Sequence, residues 1–498
     1  KPKGTAVGMK SLARLGSMML GLALLSACAG QQPKLTDIST ASCGEKLNYA
    51  ASLISHANVQ NAVSSTVPGY PFLRANRNSV LMGEQVGTAL QSGDGAGEQL
   101  FADWVAQMRE LDREARFAEI RNLPVAPAVT FAAQEACADQ MADGLDIAAY
   151  DNLSKAVFVP DDYLDFQRIA GFYPLTAFAA HFGYEGWKRD NLQSFDLPVS
   201  DVDVMGDWQV YALSGGVSVG VEYNAITRDG FGRLLPTDAE LLGLVSAYAP
   251  EIRVREESSS DRIGRPVLAT RDTISTVDMS APTMFYRLGH SYLNGAWLPQ
   301  ISYAVWFPER PKQGTFDILA GHLDALVWRV TLDQDGSAIL ADSIHGCGCY
   351  HMFFPGEGIK RITAPEDGDI RETAEMPTGF LARETLAKPV LWVDAVSHYL
   401  LKVSAQSAAP EADSKTELAL IAEQALYSIK LADGSGYASL YDEDGFVPGT
   451  DRLERFILWP MGIERPGAMR QWGHHATAFV GRRYFDDPLM LNRYFQIR

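Results

Sequence analysis

The densest reactive chemistry in this 498-residue chain is Asp342 to Pro355, DSIHGCGCYHMFFP, where His345, Cys347, Cys349 and His351 fall on every second residue. Alternate residues of a strand share one face, so this spacing can gather two imidazoles and two thiols. A partner strand lies just upstream, Leu323 to Leu332, across the turn pair Asp335-Gly336. A two-residue turn there sets Gln334 opposite Ser337, Leu326 opposite His345, Asp324 opposite Cys347 and His322 opposite Cys349. Opposed β-carbons lie about 4.5–5.5 Å apart, so the register alone predicts a patch at the end of the hairpin. His351 joins it if Gly346 and Gly348 bend the strand. A three-residue loop, Gln334 to Gly336, shifts the register by one and sends the same residues to opposite faces.

Several chemistries fit such a patch. Zinc accepts cysteine and histidine in a tetrahedral shell, and the candidate ligands are His322, His345, Cys347, Cys349 and His351. Structural zinc sites usually draw cysteines from two C-x₂₋₄-C knuckles, and here there is one C-x-C. Nucleophilic catalysis needs a thiolate beside a base, which Cys349 and His322 supply, with Asp324 and Cys347 completing the candidate catalytic set. A reversible dithiol needs α-carbons within about 6.8 Å, which a tight turn at Gly348 permits. A structural or simply oxidised pair is the remaining reading. The order His322, strand, Asp342 resembles transglutaminase-like hydrolases, but those place the nucleophilic cysteine upstream on a helix.

The second constellation is Arg470 to Pro488, RQWGHHATAFVGRRYFDDP. Arg470, Arg482 and Arg483 are candidates to clamp an anion. Alternatively they pair with Asp486 and Asp487 and fix the C-terminus. Adjacent His474 and His475 cannot both face one side of a strand, and His290 and His398 sit in strand patterns without a clear role. The segments Asp333 to Gly336 and Asp442 to Gly445 have the first part of a calcium loop without its later ligands, and are expected to be turns. Neither a P-loop nor a Gly-x-Gly-x-x-Gly follows a strand, so nucleotide binding has no support.

These residues must be held by elements that the periodicity outlines. Leu100, Trp104, Met108, Leu111 and Ala115 recur at helical spacing and predict a helix from Glu98 to Arg121, ended near Pro124. Gln134 to Ala149 and Asp161 to Ala170 read the same way. The aromatic run Gly171 to Asn191 is expected to pack against the next domain, with His181 in a core or interface. Beyond Leu197 the pattern turns to period two, with strands Trp208 to Leu213 and Val217 to Tyr223. A helix interrupts at the capping box Thr237-Asp238-Ala239-Glu240. REESSSDR, Arg255 to Arg262, has the composition of a linker. From Thr276 onward the chain reads as hairpins, including one around Asn294-Gly295, and continues through Pro389 to Val403 and Ala425 to Leu431. Seven of the nine histidines lie at or after His290, so histidine chemistry belongs to this β-rich part.

The N-terminus carries Met9 as the expected start, Lys10 and Arg14, an apolar run from Met18 to Leu25, and then Leu25-Ser26-Ala27-Cys28. It resembles a bacterial lipoprotein signal with its lipobox. The resemblance implies cleavage before Cys28 and lipidation of that residue, and Ala29 implies sorting to the outer membrane, facing the periplasm. The apolar run is too short for a spanning helix. Removing residues 1–27 takes away four basic and no acidic residues, moving the net charge from −18 to −22. Phosphate backbones repel such a chain, so nucleic acid is not an expected partner. Export also favours oxidation, and a Cys43–Cys137 disulfide is expected, with two buried thiols as the alternative.

GHLDALVWRVTL, DSIHGCGCYHMFFP and RQWGHHATAFVGRRYFDDP resemble a group of uncharacterised proteobacterial proteins over most of the chain after Tyr163. That resemblance implies no functional residue. The expected fold class is α+β: signal peptide 1–27, lipidated cysteine and tether 28–39, helical domain 40–197, mixed connecting region 198–262, and antiparallel β-rich domain 263–498. The expected role is a lipid-anchored envelope protein that binds or assembles other envelope components. A metal- or thiol-dependent hydrolase using the His/Cys/Asp patch, with zinc as the possible cofactor, is the alternative.

Overall fold

The computed structural model describes residues 40–93, 95–213, 221–363 and 371–498; the lipobox, the tether and most of the expected strand Val217 to Tyr223 lie outside them. The helical part begins at Cys43–His56, whose Ser42 and Glu45 form a reciprocal capping box. Cys43 and Cys137 are joined by a disulfide, as the sequence led us to expect. The amphipathic helix runs Gly97–Asn122 and buries Trp104, Met108, Leu111 and Ala115. Its other buried side is ionic: Asp112 meets Arg109 at 3.4 Å and Arg116 at 2.8 Å, while Glu119 meets Arg74 at 2.6 Å.

Three helices differ from expectation. The one expected from Gln134 to Ala149 runs Phe131–Asp143, and a separate 3₁₀ turn, Ile147–Ala149, follows Gly144. The one expected from Asp161 starts only at Asp165, because Tyr163 pairs with Ile463 and holds the preceding residues extended. The aromatic run forms a helix, Tyr173–Asn191. Near its end Trp187 packs on Tyr350 and Tyr399. Phe172, Leu175, Phe178 and Phe182 instead face solvent, and His181 is exposed rather than in a core.

The strands among the described residues are β1 (Ser65–Val67), β2 (Tyr70–Ala75), β3 (Trp208–Leu213), β4 (Glu251–Arg255), β5 (Arg265–Val267), β6 (Thr276–Asp278), β7 (Thr283–Leu293), β8 (Ala296–Arg310), β9 (Gly321–Leu332), β10 (Ala338–His345), β11 (Met352–Pro355), β12 (Ile359–Arg361), β13 (Pro389–Val393), β14 (Leu400–Ala405), β15 (Thr416–Ala422), β16 (Ile429–Lys430), β17 (Tyr437–Ala438) and β18 (Phe495–Ile497). Ten form one sheet in the order β11-β10-β9-β8-β7-β15-β3-β4-β13-β14. It is antiparallel except where β15 meets β3 and β7 and where β13 meets β4. This is the α+β arrangement expected. β3 and β4, from the expected connecting region, are hydrogen-bonded inside this sheet. The linker reading of Arg255 to Arg262 also fails, because Ser260 and Asp261 are buried in a capped 3₁₀ turn. Ala425 to Leu431 is split: its first three residues end a 3₁₀ turn, Glu423–Tyr427, and Ile429–Lys430 form a short antiparallel pair with Tyr437–Ala438.

One face of the sheet packs Ile301, Tyr303, Val305, Phe307 and Trp328 against Leu244 and Val245 of the helix Asp238–Ala247. Trp297 of β8 instead enters the core of the helical part beside Trp104, and its indole donates to Gln85 at 2.9 Å. The β7–β8 hairpin closes at Asn294-Gly295 with positive φ at both, as a primed turn requires.

Candidate functional site

The β9–β10 hairpin reaches the expected register by an unexpected route. The Asp333 amide donates to the Ser337 carbonyl at 2.8 Å, so the loop is Gln334 to Gly336, three residues, with Gly336 at φ +84°. A bulge between Ala338 and Leu340 then restores the register, and His345 faces Leu326. Asp324 and His345 therefore share a face, with Nδ1 of His345 3.6 Å from Oδ1 of Asp324.

The expected pairs Asp324–Cys347 and His322–Cys349 are not formed. The last bond toward β9 is from the Gly346 amide to the Ala325 carbonyl, at 2.7 Å. The chain then reverses: the Gly348 amide donates to His345 O at 2.8 Å, and the His345 amide donates to Cys349 O at 3.0 Å. Gly348 at φ +89° and Tyr350 at φ +60° make the bend. Both cysteines thus leave the ladder, and Cys349 lies on the β11 side of β10, away from β9. His322 sits opposite Glu309, with Nε2 2.6 Å from Ser275 O. His351 turns to the buried Asp342, its Nε2 at 2.8 Å, while Arg329 holds the same carboxylate with two bonds at 2.6 and 2.9 Å. Of the five candidate zinc ligands, His322 and His351 are therefore drawn to other partners, and among the described residues no group of three or more His, Cys, Asp and Glu is arranged to hold a metal ion.

Distant segments assemble a different cluster around Asp324. His398, at φ +52° in the turn between β13 and β14, places Nδ1 2.9 Å from Asp324 Oδ2 and Nε2 3.5 Å from Asp261 Oδ1. Its ring stacks on Phe307 at 3.9 Å. Arg452 donates to Asp324 at 3.1 Å. All four polar side chains are buried. Burial pushes the Asp324 carboxyl up, but Arg452, the nearby His345 ring and the bond with His398 hold it well below the usual range. Burial likewise opposes ionisation of Asp261, yet His398 and the amides of Val396, Glu257 and Ser258 bring it down to about 2. His398 is raised because its two carboxylate partners outweigh its burial. His345, on the same Asp324, is lowered by burial. Two imidazoles on one carboxylate are therefore pushed in opposite directions.

The two thiols act on each other, which lowers Cys347 and raises Cys349. They border a small cavity with Gly348, Pro466, Gly467 and Ala476. Arg470 gives its donors to the carbonyls of Cys347 at 3.1 Å, His474 at 3.2 Å and Glu464. Arg482 pairs with Asp161 and Asp165, and Arg483 with Glu372 at 3.2 Å. The candidate anion clamp is thus occupied by the protein itself, though by different partners from those expected: Asp486 pairs with Arg77 and Asp487 with Arg493.

The open site is elsewhere. A cleft of about 530 Å³ lies between the helix Gly97–Asn122 and the β7–β8 face. Asp103, Gln107, Glu110 and Glu114 line it from the helix, and Arg287, His290 and Gln300 from the sheet, with Asn78, Gln424 and partly buried Trp472 at its margin. Its two arginines are already paired, Arg287 with Glu114 at 2.9 Å and Arg233 with Asp229 at 2.7 Å. His290 is lowered well below its usual value by burial, and its Nε2 has no protein partner. Behind Arg287, burial raises Glu423 to about 7. The sequence contained one hint of this cleft, the helical face Asp103, Gln107, Glu110 and Glu114, which a reading for apolar periodicity assigns to solvent. No family model, no curated protein and no solved structure matches the chain.

Proposed function

We propose that the chain is a lipid-anchored cell-envelope protein that binds a neutral, polyhydroxylated or amide-bearing ligand, such as a glycan strand, in the cleft between its helical part and its sheet. The cleft carries this reading. Its carboxylates, carboxamides and neutral imidazole offer donors and acceptors, its cations are already paired, and Trp472 supplies an apolar ring for a sugar face. The Cys43–Cys137 disulfide is in keeping with an oxidising compartment. The alternative, a metal- or thiol-dependent hydrolase, calls on His322 and Cys349 together, and the structure gives that pairing no support.

Titration of the purified chain with soluble N-acetylglucosamine oligomers, followed by calorimetry, tests the reading. Saturable binding is expected, and Trp472→Ala should weaken it about tenfold, the loss of one aromatic contact of about 1.4 kcal/mol. Absence of binding by the parent chain, or binding indifferent to Trp472→Ala, would remove the basis for the proposal.

A further inference from the structure

Two segments remote in sequence put large apolar side chains into solvent side by side. Phe166, Ile169, Phe172, Leu175, Phe178 and Phe182 lie on the helices Asp165–Ala170 and Tyr173–Asn191 and at the junction between them, and each is at least 60% exposed. Phe456, Ile457 and Trp459 lie on the turn Arg455 to Met461. The segments are fixed together: the Leu164 amide donates to Gly462 O at 2.6 Å, Arg168 Nε donates to Met461 O at 2.9 Å, and a β-carbon at Gly171 would lie 2.4 Å from Pro460 Cβ. The display is therefore built into the fold rather than carried on a loose arm. Soluble surfaces rarely leave so many large apolar groups together without a use.

We propose that this shelf seats the protein on a lipid bilayer, with its aromatic side chains at the boundary between headgroups and acyl chains. This rests on the envelope reading above and adds the face that meets the membrane. The charge distribution favours a bilayer as the occupant. The chain has 61 acidic residues and a net charge of −18, yet Phe166 to Tyr184 and Phe456 to Ile463 contain none. The net negative charge repels an anionic headgroup layer, whereas these two runs offer it apolar rings with Arg168 behind them, and the nearest carboxylates, Asp165 and Glu185, stand at the edges of the first run. Among the described residues no helix is long and apolar enough to cross a membrane, and the shelf has the one-sided character of a helix that lies in the interface plane. The chain between Cys28 and the first described residue, Thr40, spans at most about 40 Å when extended, which bounds how far Thr40 can stand from an anchor at Cys28.

The test separates the shelf from the anchor. A Cys28→Ser chain exported on an ordinary cleavable signal keeps every described residue and has no acyl groups. It is expected to sediment as a monomer and to float with vesicles of phosphatidylethanolamine and phosphatidylglycerol. Phe172→Ser, Phe178→Ser and Phe182→Ser combined should lower its partitioning by roughly a hundredfold, and Leu175→Asp alone should lower it in the same direction. Failure of the parent to float, equal flotation of the variants, or a parent dimer that the substitutions dissolve, each overturns the proposal. Palmitate labelling of the unmodified chain, with the Cys28→Ser chain as control, reads the anchor independently, so loss of one reading is not mistaken for loss of the other.

Discussion

Asp324→Ala is expected to lower stability by about 3–5 kcal/mol in urea unfolding, because it leaves Arg452 and His398 in the interior without the carboxylate they share. A change below about 1 kcal/mol would show that water or another carboxylate reaches the site. The pH dependence has a defined sign. Asp324 and Asp261 titrate below their unfolded values, so the stability they contribute is present above about pH 4 and is lost as pH falls through their folded values. His398 is raised, so its contribution is complete below about pH 6.5 and is lost as pH rises through its folded value. His345 and His351 act in the opposite sense, since burial lowers both and acid then favours the unfolded chain. The His398 contribution is therefore best read as the stability difference between the parent and His398→Gln, which should shrink as pH rises past about 6.5.

Removing the disulfide should have a comparable effect. Cys43 and Cys137 are 94 residues apart, and closing so long a loop in the unfolded chain is worth about 4–5 kcal/mol in the chain-entropy model. Cys43→Ala with Cys137→Ala should move the unfolding midpoint to lower urea by that amount, and a reductant should reproduce the shift in the parent. Peptide mapping without reductant should find Cys43 linked to Cys137 and the two later cysteines unlinked to either. Linkage of Cys43 or Cys137 to Cys347 would contradict the fold described.

Local rules made much of the fold legible, and long-range packing hid the site. The helix Gly97–Asn122, the capping box at Thr237 and the Asn294-Gly295 hairpin all follow from spacing and turn chemistry within a few residues. The strand through Cys347 and Cys349 failed because alternation alone does not mark where a ladder stops. The signal was present in the two glycines, since Gly348 adopts a left-handed conformation and a β-carbon at Gly346 would lie 2.7 Å from that of Ala325. Asp261, His398 and Arg452 escaped for a different reason. Each lies in a turn or an irregular stretch, and only the closure of the sheet brings them to Asp324. The exposed face of Tyr173–Asn191 escaped because apolar spacing says that a helix has a face to bury, not what buries it.

The three-residue loop and the bulge after it act on the hairpin like paired errors in a measured length. Each alone would displace everything beyond Leu340, while together they leave Leu326 opposite His345, the pairing a plain two-residue turn would also have given. The register at the far end is therefore indifferent to how the tip counts its residues. Rebuilding the tip with Asn-Gly at Asp335-Gly336 should leave Arg329 on Asp342 and His345 beside Asp324. The tip itself is clasped from outside the sheet, by Tyr223 on the Asp333 carbonyl at 2.9 Å, Arg228 on that of Gln334 at 3.3 Å and Tyr248 on that of Gly336, so what a change there disturbs is this clasp and not the chemistry farther down the strands.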